Sequence, residues 1–134
     1  MEGRGGPAAD HGPSVLAELE ELVGGDEAWA TVPDLVDLLG SDVSSVRRLL
    51  DDRLLVGVRR GRPKVVQVPR ALADPEPLVS MPGTLTVLGD AGYSDAEALR
   101  WLFTHDEHLG AAPLAALRAG RIAPVRRRAQ VLLF

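Results

Sequence analysis

The stretch Thr31–Val68, TVPDLVDLLGSDVSSVRRLLDDRLLVGVRRGRPKVVQV, leaves few folds open. Val32, Leu35, Val36, Leu38 and Leu39 recur at helical spacing, and so do Val43, Val46, Leu49 and Leu50. Thr31 caps the first of these helices, Pro33 is tolerated in its first turn, and Asp34 suits the positive end of its dipole. Gly40 takes the turn, where positive φ is often required. Ser41 or Asp42 then caps a second helix over Val43–Asp52. Leu54–Val58 and Lys64–Val68 read as apolar strands around a basic turn, Arg59–Pro63. The order is helix, tight turn, helix, hairpin, which is a helix–turn–helix followed by a wing.

The second helix points Ser44, Ser45, Arg47 and Arg48 outward. In a helix–turn–helix, side chains near the start of the second helix reach base edges in the major groove. Ser44 and Ser45 suit bases or phosphates, and Arg47 and Arg48 suit guanine edges or phosphate oxygens. Arg59, Arg60, Arg62 and Lys64 on the hairpin tip have no structural task in sequence terms and suit phosphates or an adjacent minor groove. The competing reading is a helical hairpin with solvated arginines. Net charge, −4, does not decide between them; the basic hairpin directly after the helix–turn–helix favours DNA, and the distribution of charge agrees. Residues 1–28 hold seven acids against Arg4 alone, residues 43–65 hold seven basic side chains against Asp51 and Asp52, and residues 118–134 hold five arginines and no acid. A dipolar chain with two basic segments points to double-stranded DNA, with helix 43–52 as the recognition helix and residues 59–64 as a basic wing.

The rest of the chain supports this head. Residues 1–13 are rich in Gly, Pro and Ala and are expected to be a disordered tail. Ser14 caps a helix to about Val23 whose Glu18, Glu20 and Glu21 form an acidic face that belongs away from phosphates. Trp29 is a core anchor. Pro69, Pro75 and Pro77 mark a boundary between a winged domain, 14–72, and a helical C-terminal domain, 78–134. In the latter, helices are expected from Pro82 to Ala91, after a Ser94–Glu97 capping box, from Pro113 to Gly120, and from Pro124 onward. Trp101 and Phe103 are core residues or a dimer seam. Arg126, Arg127 and Arg128, with Arg118 and Arg121, contact phosphates or solubilise the last helix. The expected fold is mainly α with a small β-hairpin wing. The expected assembly is a homodimer through the C-terminal helices.

Enzyme chemistry finds no foothold. With no cysteine, thiolate metal sites and cysteine nucleophiles are excluded. His105-Asp106-Glu107-His108 lacks a third ligand nearby, and no phosphate-binding glycine loop or nucleophile elbow occurs. No metal, cofactor or catalytic residue is expected. No apolar run approaches the roughly 20 residues of a membrane span, and the N-terminus lacks a signal pattern. A cytoplasmic, nucleoid location is the expectation.

Residues 26–39 (DEAWATVPDLVDLL), the wing VGVRRG, and above all 80–104 (SMPGTLTVLGDAGYSDAEALRWLFT) resemble a small actinobacterial family of winged helix–turn–helix DNA-binding proteins with a helical C-terminal domain. The resemblance implies DNA binding through helix 43–52 and wing 59–64, in a transcriptional regulator or nucleoid protein. The family's founding mycobacterial member is a substrate of a membrane Ser/Thr kinase, which implies such a kinase as a partner. Here, however, the tail before Trp29 has no threonine and Ser14 as its one hydroxyl, so regulation through an N-terminal threonine does not carry over. Residues 109–134, with Pro113-Leu114, Leu117 and Gly120, also resemble the C-terminal domain of a class of antitoxins. That likeness implies the alternative function, a protein-interaction module acting through the C-terminal helices.

Overall fold

The computed structural model describes residues 13–134, with side chains from Val15 onward. The expected tail therefore lies outside the described residues apart from Pro13, which opens helix α1 (Pro13–Val23). Ser14 is thus inside the first turn rather than ahead of it. The elements that follow are β1 (Trp29–Ala30), α2 (Val32–Leu39), α3 (Val43–Asp51), β2 (Val58–Arg60), β3 (Val65–Pro69), α4 (Met81–Asp90), α5 (Asp95–Phe103), α6 (Pro113–Arg118) and α7 (Ile122–Val131). The result is mainly helical with one small antiparallel sheet, a winged helix followed by a helical C-terminal part.

Local chemistry sets most helix ends. Thr31 Oγ1 accepts from Asp34 N–H at 3.3 Å while Asp34 Oδ2 accepts from Thr31 N–H at 3.0 Å, a reciprocal box that starts α2. Ser94 and Glu97 repeat the device at α5. Gly40 ends α2 with φ +61°, a conformation costly for other residues. Helix α3 ends differently: Arg53 itself takes φ +65°. Its guanidinium grips Asp95 in the first turn of α5, at 2.8 and 3.3 Å. That ion pair ties the end of α3 to the C-terminal helices and offsets part of the backbone strain.

The sheet order is β1-β3-β2, with Trp29 opposite Pro69 and Arg59 opposite Val66. The hairpin differs from expectation. Leu55 and Val56 are buried in irregular chain, and pairing begins only at Val58. Gly57 explains the delay, because the Gln67 carbonyl passes where its Cβ would be, 2.5 Å away. Arg59 and Arg60 consequently lie within β2, not in the turn.

The core is continuous across the proline-rich segment. Leu19, Trp29, Leu35, Val46, Leu55, Leu72, Leu88, Leu99 and Leu102 belong to one buried cluster. Helix α1 packs chiefly on α5, and Glu18 pairs with Arg100 there at 2.7 Å. Arg118 of α6 donates to the carbonyls of Ala71 and Glu76, so the residues between the two halves are held rather than loose. Helix α7 begins at Ile122, two residues ahead of Pro124, and buries Val125 and Ala129. Leu133, expected on its inner side, is exposed.

Gly57→Ala is expected to force the hairpin apart at Gln67. A loss of about 1–3 kcal/mol, the usual scale of overpacking, should appear in urea titrations monitored by Trp29 fluorescence.

Candidate nucleic-acid interface

Helix α3 rests on the core through Val46, which is fully buried, and through the half-buried Leu49 and Leu50. Asp42 caps it, accepting from Ser45 N–H at 2.7 Å. That backbone hydrogen bond, with a lesser one from the Ser45 hydroxyl, holds the Asp42 carboxyl below its ordinary value. The outward side carries Ser44, Ser45, Arg47 and Arg48, all exposed. Ser44 and Arg48 are four apart and share a stripe, as do Val43 and Arg47. Val43 had been expected on the inner side but is 48% exposed. It stands one residue past the cap, where the helix has not yet reached the core.

Across from α3, the hairpin presents Arg59, Arg62 and Lys64 to solvent. Arg59 reaches the Lys64 carbonyl at 3.3 Å, which brings the two basic residues together. Between helix and hairpin runs an open groove of about 500 Å³. Thr31, Val32 and Pro33 of α2, Arg47 of α3, and Arg59, Lys64, Val65 and Val66 of the hairpin line it. Three cations stand around an apolar floor, a shape and charge that suit a sugar–phosphate strand.

Arg60 does not join them. Strand alternation places it on the same side as Val58, and it is 7% exposed. Its guanidinium stacks over Trp29, 4.7 Å from the ring centroid. It bonds Glu20 at 2.7 Å, Asp26 at 3.0 Å and Gln67 at 2.9 Å. Arg60 thus has a structural task, contrary to the sequence expectation, and is committed to α1 and the residues before β1. Trp29 is the core anchor expected of it, 2% exposed with its indole N–H on the Gly24 carbonyl. The signal that could have found Arg60 was the alternation Val58-x-Arg60 opposite an acidic helix.

The remaining arginines divide sharply. Arg70 donates to the Glu27 carbonyl and Arg121 to the Leu109 carbonyl. Arg53, Arg60, Arg100, Arg118 and Arg128 are likewise engaged. Arg126 lies over Gly83, whose Cβ would come within 2.7 Å of it. Among the described residues, Arg47, Arg48, Arg62, Lys64, Arg126 and Arg127 make no side-chain hydrogen bond or ion pair; the first four lie on α3 and the wing, the last two on α7.

Within His105–His108, Asp106 has a structural task, while His105, Glu107 and His108 are exposed. Asp106 accepts from Arg128 Nε at 3.0 Å and from the N–H groups of His108 and Leu109. Burial alone would raise its carboxyl, but these donors outweigh it and hold the pKa below the ordinary 3.8. Among the described residues no group of three or more His, Asp or Glu is placed to hold a metal ion. No described helix is long and apolar enough to cross a membrane. A second groove, about 580 Å³ between α1 and α5, has acidic walls of Glu18, Glu21 and Glu97 around Leu22, Tyr93 and Trp101. Its charge is wrong for phosphates.

Residues 78–132 match the family described as the Rv2175c C-terminal domain of unknown function. Over 127 residues the chain is 35% identical to the DNA-binding protein Rv2175c of Mycobacterium tuberculosis (strain ATCC 25618 / H37Rv), covering 86% of this chain and 87% of that protein. It also resembles the NMR structure of Rv2175c, with a TM-score of 0.68 at 36% identity over 81% of this chain and 83% of that one.

Two outcomes follow from this geometry. Arg60→Met should lower stability by about 0.5–2 kcal/mol, chiefly through the lost stacking over Trp29. It should leave the salt dependence of any DNA binding unchanged, as read from anisotropy titrations. Asp106→Asn should be less stable than wild type at neutral pH. Because the folded-state pKa is depressed, the aspartate's contribution is complete above its unfolded value near 3.8 and fades as pH falls through the lowered one. The gap between the two proteins in urea melts should therefore narrow as pH falls below 3.8.

Proposed function

The chain belongs to the Rv2175c family, and on that premise we propose that it binds double-stranded DNA and acts as a transcriptional regulator. The observation that carries this reading is the gathering of exposed cations on α3 and the wing. In a chain of net charge −4, Arg47, Arg48, Arg59, Arg62 and Lys64 all stand exposed there, and Arg47, Arg59 and Lys64 line one groove. Most other described arginines are tied to carboxylates or carbonyls. Helix α3 enters the major groove, with Ser44 and Ser45 near base edges and Arg47 and Arg48 on guanines or phosphates. Arg59, Arg62 and Lys64 hold the neighbouring backbone; Arg60 is left out of this set. The name of the mycobacterial relative supports DNA as the partner.

A single unit of this kind reads few bases, so specific affinity calls for two copies on one site. The exposed Val131, Leu133 and Phe134 beyond and at the end of α7 support a homodimer through the C-terminal helices. The same apolar surface supports the second reading, an antitoxin-like interaction module. A co-purifying partner protein together with no DNA shift at low salt would favour that one.

Replacing Arg59, Arg62 and Lys64 together by alanine should flatten the plot of log K against log salt. The expected change is about 0.9 per lost phosphate contact. A triple variant that binds duplex DNA with the wild-type slope in a salt titration would remove the wing from the interface.

A further inference from the structure

The tip of α3 carries no cation. Asp42, Val43, Ser44 and Ser45 occupy it, and the basic residues begin one turn later with Arg47 and Arg48. Asp42 is a fixed negative charge there, with one carboxylate oxygen bound to Ser45 N–H. A carboxylate repels phosphates, so the tip is unsuited to lie along a DNA backbone and suited to face base edges. The cations of α3 and the wing then fall on the flanking phosphates. Within this tip Val43 is the misfit. It is 48% exposed although its helix buries Val46 fully. It shares a stripe with Arg47, which lines the groove beside the wing. Base edges in the major groove are donors and acceptors with one apolar mark, the C5-methyl group of thymine.

We propose that Val43 is a specificity-determining residue that packs against a thymine methyl group in the major groove. The inference rests on α3 being the recognition helix. Ser44 and Arg48, on the neighbouring stripe, supply the polar contacts that fix register, and Val43 selects thymine over cytosine at the position it covers. Half-exposed in the free protein, it gains burial only when the methyl group closes over it.

Duplexes selected by the full-length protein from a random pool provide the test. In a selected duplex, each thymine is replaced singly by deoxyuridine, which keeps the base pair and removes only the methyl group. Affinity is read by fluorescence anisotropy at fixed salt. The wild-type protein should lose about fourfold at one position per bound copy, the worth of one buried methyl group. Val43→Ala should bind the thymine duplex about fourfold more weakly and show no further loss with deoxyuridine there. Val43 lies outside the core, so the variant should keep the wild-type circular dichroism and thermal transition, and the wild-type uracil scan needs no variant at all. A uracil penalty that persists unchanged in Val43→Ala, or a wild type with no uracil-sensitive position, overturns this inference and leaves DNA binding standing. Failure of the wild-type protein to bind any duplex at low salt overturns both.

Discussion

The Arg60 guanidinium is the fixed point of the winged half. It is 8% exposed, and a charge that far from water must be paired and hydrogen-bonded. Glu20 comes from α1, Asp26 and Trp29 from the segment that enters the sheet, and Gln67 from the opposite strand. Three pieces distant in sequence are thus drawn onto one side chain. The partner carboxylates are themselves well exposed, 42% for Glu20 and 96% for Asp26. Water already solvates them, so the pairs add little net stability. What they supply is geometry. With Arg60 turned inward, strand alternation turns Arg59 outward, toward Lys64 and the groove that Arg47 also lines. The cationic face of the wing is set by the arginine that is not on it.

That arrangement polarises the molecule. Acidic α1 uses Glu20 to hold the wing's base and Glu18 to hold α5. Its remaining carboxylate, Glu21, borders a groove that Glu18, Glu97 and Arg100 also line. Arg53, at the far end of α3, is neutralised by Asp95. Charges separated by more than a Debye length, about 8 Å at physiological salt, hardly feel each other. The field that an approaching polyanion meets is therefore that of the local cluster on α3 and the wing, whatever the net charge of the chain.

The elements legible in the sequence are those fixed by neighbours along the chain. Thr31 with Asp34, Ser94 with Glu97, Gly40 and Gly120 are local signals, and α2, α3, α5 and α6 stand where those signals put them. The family resemblance rested on residues 26–39, the wing VGVRRG and residues 80–104. What escaped was set by residues far apart. The hairpin starts late because Gly57 lies against the Gln67 backbone, a contact no apolar run announces. Arg60 looked like a wing cation because all four bases of the hairpin look alike in composition. Only knowing that β2 runs 58–60, with Val58 inward, assigns Arg60 to the interior. Val43 looked like core because helical spacing matches it to Val46, yet the first residue of a helix can overhang the surface that Val46, less than a turn later, covers.

These two reassignments divide the labour of the candidate interface. In the proposed complex, phosphate contacts of Arg47, Arg48, Arg59, Arg62 and Lys64 would be electrostatic and fade as salt rises, since they would work by displacing counterions. They would carry almost no sequence information. Binding through the cation-free tip of α3 depends on hydrogen-bond pattern and apolar fit, neither of which salt screens strongly. The cap that starts the helix keeps these roles apart: Asp42 accepts from Ser45 N–H, a bond that holds its carboxyl below the ordinary value. Its charge excludes phosphates from that tip. A cap that were neutral, such as serine, would start the helix as well. In the proposed complex the aspartate would add direction, its charge disfavouring phosphates at the tip and leaving that tip to base edges.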